Sequence, residues 1–186
     1  MGAMSEIAER YRKVAGTFTE RARAVPAGAW DNPAPCEGWV ARDVVRHMVE
    51  WMPAMVLAGA GLPLPEGPSV DDDPVGAWLS MHDAFSAALD DPEIAARELD
   101  MRVGRYSVAD AIATFCIGDV LVHTWDLARA TGLDETLDAD EVHRMYEGME
   151  PIDEVLRTSG HYGAKVEVPD DADEQTKMIA FTGRQP

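Results

Sequence analysis

The sequence feature that most restricts the fold is a helix predicted over residues 108–130. Ser107 precedes this segment as a residue type that caps helix N-termini, Asp110 falls in the first turn, and Gly132 follows as a stop signal. Most of the segment is apolar, so the helix is expected to lie in the interior of the protein. Other helices must therefore cover it.

Four other segments repeat apolar residues at spacings of three and four, the period of an amphipathic helix. They cover residues 5–25, 39 to about 60, 75–89 and 138–157. In the second of these, Pro53 is expected to kink or end the helix. Residues 101–107 are compatible with a short strand or a loop, and residues 161–186 with a short extended piece and an acidic last helix. We therefore predict an all-α bundle.

Length and composition restrict the class of protein further. A chain of 186 residues favours one domain, which we place at residues 4–186, with residues 1–3 interpreted as a cloning remnant. The 16 Lys and Arg against 34 Asp and Glu give a net charge of -18, which disfavours nucleic acid and anionic lipid surfaces as partners. No signal peptide or membrane-spanning segment is predicted, so a cytoplasmic location is expected. Cys36 and Cys116 lie outside any C-x-x-C spacing and predict neither a disulfide nor a zinc knuckle.

Three polar residues interrupt the helix predicted over residues 108–130. Asp119, His123 and Asp126 fall on nearly one face, and an ionised carboxylate in the interior requires a hydrogen-bond partner, water or a cation. Residues four apart on a helix project from the same side, so Asp119 and His123 can bind one cation, with His47 of another helix as third ligand. Alternatively, Asp119 and His123 form a hydrogen-bond pair on the helix and His47 is a core histidine, and the spacing alone favours this simpler interpretation.

Three stretches resemble one protein superfamily. PCEGWVARDVVRHMVEW, residues 35–51, resembles the C-x-G-W-x-x-x-D-hydrophobic-x-x-H motif of the DinB-like, mycothiol-dependent maleylpyruvate isomerase N-terminal-domain superfamily. DVLVHTWDLARATG, residues 119–132, is similar to its second metal-binding stretch, and AFTGRQP, residues 180–186, to the closing pattern of an actinobacterial branch. The similarity covers nearly the whole chain.

The resemblance implies an up-and-down four-helix bundle with an additional helix, a short C-terminal tail and a divalent cation near one end, commonly zinc, with nickel as the second candidate. Carried over by position, the ligands of this cation are His47, Asp119 and His123. The superfamily more often has His or Glu where this chain has Asp119. Aspartate is an oxygen ligand with a shorter side chain than glutamate, and this difference is expected to alter metal affinity or preference. The isomerase also has a C-terminal domain for which 186 residues leave no room, so maleylpyruvate does not follow as the substrate.

Two aspartates near these ligands have alternative roles. Asp43, four residues before His47, is equally compatible with accepting a hydrogen bond from a ligand histidine and with capping its helix. For Asp126, an ion pair with Arg129 is favoured over a role beside His123.

The remaining candidates are assigned to packing or to the surface. Cys36 matches a structural turn of the motif rather than a nucleophile, and Cys116 is expected to be a buried small hydrophobe. The tail of residues 180–186 is not expected to indicate any chemical role. Indoles and isolated histidines are interpreted as core, pocket-wall or surface residues: Trp51, Trp125, His82, His143 and His161.

Three functions are compatible with these features. A cation with an open position can hold a small thiol as a thiolate near neutral pH, so the favoured function is a metal-dependent enzyme, a transferase or isomerase, acting with a mycothiol-like thiol on an electrophilic substrate. The alternative is a non-catalytic binding or stress-response protein whose cation stabilises the bundle. A third is a metal-free helical interaction protein that forms a homodimer. The lack of an obvious general base weighs against the first, and the polar cluster in a core helix against the third.

Overall fold

The computed structural model describes residues 2–158, 160 and 162–186, so His161 lies outside the described residues. In chain order the elements are α1 (Gly2–Ala24), α2 (Ala41–Pro53), α3 (Pro74–Asp90), α4 (Pro92–Ala95), β1 (Glu98–Met101), β2 (Gly104–Ser107), α5 (Val108–Ala111), α6 (Ile117–Thr131), α7 (Ala139–Met149), α8 (Asp153–Thr158) and α9 (Glu174–Phe181). A π-helical segment, Ala54–Ala58, extends α2, a second one, Ile112–Cys116, joins α5 to α6, and a 3-10 turn, Glu150–Ile152, joins α7 to α8. The predicted all-α class is confirmed.

Helices α1, α2, α3 and α6 form a four-helix bundle, in which α1 and α2 each pack against both α3 and α6. Large aromatic side chains fill the α1–α3 contact, with ring centroids 5.8 Å apart for Tyr11 and Phe85 and 4.4 Å apart for Phe18 and Trp78. The buried Trp78 indole N–H donates to Thr19 Oγ1 at 2.8 Å, so this polar atom of the core has a partner. The four-helix bundle expected from the superfamily resemblance is confirmed.

The four helices run up, down, down and up in chain order, whereas the up-and-down arrangement implied by the resemblance would alternate at every helix. The ring contacts make α1 antiparallel to α3, whereas α1 is parallel to α6 because Arg21, near the end of α1, pairs with Asp134 just beyond α6 at 2.8 Å. Helix α2 is antiparallel to α6, since Trp51 near its end contacts Asp119 at the start of α6. Helices α2 and α3 are therefore parallel, which the long connection of residues 59–73 allows at about 3.3 Å per extended residue.

Local signals set the helix ends as predicted. Ser107 Oγ accepts a hydrogen bond from the backbone N–H of Asp110 at 3.0 Å, and Gly132 ends α6 with a φ of 71°, a conformation that glycine adopts at little cost. Pro53 is the last residue of α2, after which the chain continues as the π-helical segment Ala54–Ala58. A second π-helical segment, Ile112–Cys116, divides the helix predicted over residues 108–130 into α5 and α6.

Two other regions add detail to the sequence prediction. Residues 101–107 contribute to a hairpin, in which β1 pairs with β2 in antiparallel register. The helix predicted over residues 138–157 is divided into α7, the 3-10 turn and α8, because Pro151 has no backbone N–H to continue an α-helix. The predicted last helix is present as α9, which begins after the N-cap Asp173 and packs against α7, but it is not acidic, because Glu174 is balanced by Lys177 and the other carboxylates precede the helix.

One stretch of the described chain, Val108–Thr131, is long and apolar enough to cross a membrane by length and composition alone. Within the protein, 67% of its most apolar window is buried, and both α1 and α2 pack on it. The stretch is therefore the central helix of the bundle, as the apolar pattern of residues 108–130 indicates.

Candidate metal centre

The three sequence-predicted ligands come together where α2 and α6 pack side by side. His47 projects from α2, and Asp119 and His123 project from the first two turns of α6. One ligand atom from each residue lies within 4.8 Å of the others. The two carboxylate oxygens of Asp119 face one histidine each, with Oδ2 3.4 Å from His47 Nε2 and Oδ1 3.5 Å from His123 Nε2.

These distances fit a shared cation. At 3.4 and 3.5 Å they are longer than a good hydrogen bond. Two ligands that are each about 2.0–2.1 Å from a tetrahedral zinc ion lie about 3.3 Å apart, close to the observed spacing. The side chains of His47 and Asp119 are 32% and 28% exposed, whereas that of His123 is 5% exposed. The cluster is therefore open to a small ligand from the side of His47 and Asp119.

Two tryptophans enclose the cluster. Trp51 Nε1 donates to Asp119 Oδ2 at 3.3 Å, so its ring is a wall of the site, as the sequence analysis proposed, and also orients the carboxylate. Trp39, which the sequence analysis did not select, stacks on His123 with ring centroids 5.9 Å apart and lies 5.1 Å from the His47 ring. Both indoles restrict the orientation of the imidazoles and shield them from water.

The predicted ion pair between Asp126 and Arg129 is wrong. Asp126 is fully buried, and its Oδ2 lies 2.8 Å from His123 Nδ1. Arg129 turns outward instead, where it pairs with Glu135 at 2.7 Å and lies over the buried Trp125 ring. Helical spacing allowed both partners for Asp126, but only His123 lies on the buried side of α6 with it.

Arg184 supplies the second partner of Asp126 and was missed by the sequence analysis. Its Nε and one terminal nitrogen contact the two oxygens of Asp126, each at 2.7 Å. The tail of residues 180–186, from which no chemical role was expected, thus places an arginine against the carboxylate beside a predicted ligand. The available signal was the carboxylate itself, because an ionised Asp in a core helix requires a cation on its buried side, and Arg129 lies at the surface.

A second group of potential ligand atoms, Cys36, His123 and Asp126, lies on the other side of the His123 ring. The Arg184 guanidinium already occupies this side, and it also donates to Cys36 Sγ at 3.4 Å. Burial, followed by the Asp126 carboxylate, raises the pKa of the Cys36 thiol to about 12. A thiol that stays protonated at neutral pH is a poor metal ligand and a poor nucleophile, so Cys36 is a packing residue.

Charges within the cluster favour ionised forms in spite of burial. Burial disfavours the Asp119 carboxylate, but His123, His47 and the Trp51 N–H outweigh it and lower the pKa of Asp119. Burial also disfavours the His123 imidazolium, but the carboxylates of Asp119 and Asp126 outweigh it and raise the pKa of His123. Without a metal, the cluster therefore attracts a proton to the position that a divalent cation would compete for.

The other predicted residues have structural roles. Asp43 Oδ2 accepts from the Val40 backbone N–H at 3.0 Å, which settles its two alternatives in favour of capping α2. Cys116 is fully buried, as predicted. His82 packs between Tyr11 and Trp78, whereas His143 is an exposed residue.

Two histidines and one carboxylate converge from two helices of a four-helix bundle. This arrangement defines a class of domain with a candidate divalent metal centre. The family model of the mycothiol maleylpyruvate isomerase N-terminal domain matches residues 11–128, and the chain belongs to this family. The matched region includes His47, Asp119 and His123 but ends before α7 and Arg184. Searches of the curated proteins and of the solved structures each found no match.

Proposed function

We propose that the protein binds one divalent cation, zinc in the first place, through His47, Asp119 and His123. The observation that supports this is the convergence of their ligand atoms within 4.8 Å from two separate helices. Two imidazoles and one carboxylate suit zinc, and they also suit nickel and ferrous iron, which elemental analysis distinguishes. The cation is expected to be stoichiometric with the protein.

We further propose that the protein is an enzyme that acts with a small thiol, of the mycothiol type, on an electrophilic substrate. Three protein ligands leave a divalent ion an open position, at which it lowers the pKa of a bound thiol and favours the thiolate. The residues of the chain then have separate tasks. His47 and Asp119 form the exposed side by which the thiol enters, and Trp39 and Trp51 restrict water on the flanks.

The reaction class follows from the chemistry of a thiolate. Its sulfur adds to an electrophilic carbon, so that a C–S bond forms and the electron pair of the attacked double bond moves onto the substrate. In a transfer, a proton then neutralises the product and the C–S bond remains. In an isomerisation, rotation about the carbon–carbon bond that has become single is followed by loss of the thiolate, which restores the double bond and regenerates the thiolate.

The second candidate is a non-catalytic binding or stress-response protein in which the cation stabilises the bundle. It is favoured by the placement of the ligands, because a cation held by His47 of α2 and His123 of α6 would join two helices, as structural metal sites do. Under this alternative the cation has no position for an added thiol.

Cobalt substitution distinguishes the two functions. In an enzyme of the proposed kind, adding a low-molecular-weight thiol, mycothiol included, to the cobalt-loaded protein should produce a sulfur-to-metal charge-transfer band. The Cys36→Ser variant is the matched control, since it removes the protein's own half-buried thiol and should retain the band. The loaded protein should also conjugate or isomerise electrophilic test substrates faster than the metal-free protein. A cobalt spectrum that is indifferent to every thiol would reject the enzyme and leave the metal-stabilised binding protein.

A further inference from the structure

The carboxylate of Asp126 lies between a predicted metal ligand and the C-terminal segment. On one side, Asp126 Oδ2 is 2.8 Å from His123 Nδ1. On the other, Arg184 contacts both carboxylate oxygens at 2.7 Å in a bidentate pair. The Arg184 side chain is only 14% exposed, so this pair is largely protected from water.

We propose that Arg184 is a positioning residue for the metal centre, which orients His123 through Asp126. This inference rests on the proposed metal binding by His47, Asp119 and His123. It also extends the functional unit beyond the family domain, because Arg184 lies 56 residues after the end of the matched region 11–128.

The hydrogen bonds fix the orientation of the His123 ring. An ionised carboxylate only accepts hydrogen bonds, so His123 Nδ1 must carry the hydrogen that points to Asp126. The Nε2 lone pair is then free on the opposite side of the ring, where Asp119 Oδ1 lies at 3.5 Å. A carboxylate that holds the far nitrogen of a metal-binding histidine in this way typically increases metal affinity 10–100-fold.

Arg184 keeps Asp126 available for this task. Asp126 is fully buried, and without a counterion its charge would be unfavourable in the interior. The bidentate pair satisfies that charge and holds the plane of the carboxylate, so that Oδ2 remains directed at His123 Nδ1. A lysine at position 184 would keep the charge but not the two parallel hydrogen bonds.

The conformation of the C-terminal segment places the Arg184 side chain against Asp126. Thr182 Oγ1 accepts from Arg184 at 3.2 Å, and Gly183 turns the chain between them with a φ of 92°. Arg157 holds the same segment from outside, donating to the Phe181 carbonyl at 2.5 Å and to the Gly163 carbonyl. Arg157 does not contact Asp126 among the contacts of the described residues, which makes it the matched control for Arg184.

The test compares metal affinity in four proteins: wild type, Arg184→Gln, Arg184→Lys and Arg157→Gln. Affinity is measured by competition with a chromophoric zinc chelator, and folding by the melting temperature of the metal-free proteins. We expect Arg184→Gln to weaken zinc binding 10–100-fold and Arg184→Lys to restore part of it. Arg157→Gln should lower the melting temperature while leaving affinity within about twofold, since Asp126 keeps its partner.

A second readout does not depend on metal. In metal-free wild type, at a pH high enough for His123 to be neutral, ¹⁵N NMR of the imidazoles should show hydrogen on His123 Nδ1, and Arg184→Lys should reduce the population of that tautomer. If Arg184→Gln does not fold, Arg184→Lys provides both measurements. Unchanged zinc affinity and an unchanged His123 tautomer in the Arg184 variants would overturn the inference while leaving the proposed function intact. Absence of zinc binding in the wild type would overturn the proposed function, and the tautomer measurement would then decide the positioning role alone.

Discussion

Gly183 lies directly against the backbone of Gly163: a Cβ atom added to Gly183 would be 2.7 Å from Gly163 Cα. The φ of Gly183 is 92°, a region that other L-residues rarely adopt. The backbone N–H of Gly163 also donates to the Thr182 carbonyl at 3.3 Å. This close approach fixes the path of the chain immediately before Arg184.

Gly183→Ala should therefore destabilise the protein. The positive φ alone is expected to cost about 1–3 kcal/mol, and the contact with Gly163 adds to it. Thermal unfolding measures the effect, with Gly16→Ala as the control. Gly16 lies within α1 with no atom near its added Cβ, so that variant should stabilise by about 0.5–1 kcal/mol. Equal melting temperatures for Gly183→Ala and wild type would contradict the packing described.

Removing a proposed ligand should abolish or weaken metal binding. Asp119→Ala and His123→Ala should purify without stoichiometric metal, because two remaining ligands are too few to displace the ion's water. His47→Ala should likewise lose stoichiometric metal while leaving helical content nearly unchanged, as the bundle core is large compared with one partly exposed side chain. Elemental analysis and circular dichroism check both results. Wild-type metal content in His47→Ala would return this residue to a packing role.

The hydrogen bond from Trp51 to Asp119 should contribute to affinity. Trp51→Phe keeps an aromatic wall but removes the donor that lies 3.3 Å from Asp119 Oδ2. We expect zinc affinity to fall about tenfold, as is typical when a residue that orients a ligand is lost. Trp125→Phe is the control in competition titrations, because Trp125 is a core residue outside the cluster. Equal losses in both variants would point to a general packing effect instead.

Metal binding should weaken in acid. The pKa of His123 is raised, since the carboxylates of Asp119 and Asp126 outweigh its burial, and only the neutral imidazole binds a cation. As the pH falls below this raised pKa, a proton competes with the metal, and affinity should decrease by about tenfold per pH unit. Competition titrations between pH 8 and pH 6 measure the slope. A flat profile over this range would exclude His123 as a ligand.

Cys36 should resist alkylation in the folded protein. Because burial and the Asp126 carboxylate raise the pKa of its thiol to about 12, little thiolate is present at pH 8. Iodoacetamide should modify Cys36 on the order of a hundredfold more slowly than in urea, where the ordinary pKa returns. Peptide mapping by mass spectrometry separates Cys36 from Cys116. Fast labelling of folded protein would restore Cys36 as a candidate nucleophile.

The helices were predictable because their signals are local. The N-cap Ser107, the terminating Pro53 and the left-handed Gly132 each act within about one helical turn, so the sequence alone indicates where helices begin and end. The path of the connection over residues 59–73, which makes α2 and α3 parallel, has no comparable signal. It depends on how the finished helices pack.

The site was predictable to the extent that it is local. Asp119 and His123 share one helix and a spacing of four, whereas the choice of His47 depended on resemblance to a known motif. The pair of Asp126 and Arg184 spans 58 residues, and the nearer Arg129 satisfied the spacing rule equally well. Burial, which only the folded chain reveals, selected Arg184 as the counterion and left Arg129 at the surface.

Each helix that carries proposed ligands has a π-helical turn at the same end of the bundle. Ala54–Ala58 follows α2, and Ile112–Cys116 lies between α5 and α6. A π turn holds one residue more than an α turn, and each α-helical residue rotates the chain by about 100°. A regular α-helix over the same residues would turn α5 by that angle relative to Asp119 and His123. The π turn thus allows the buried face of α5 and the ligand-bearing face of α6 to point into the same bundle.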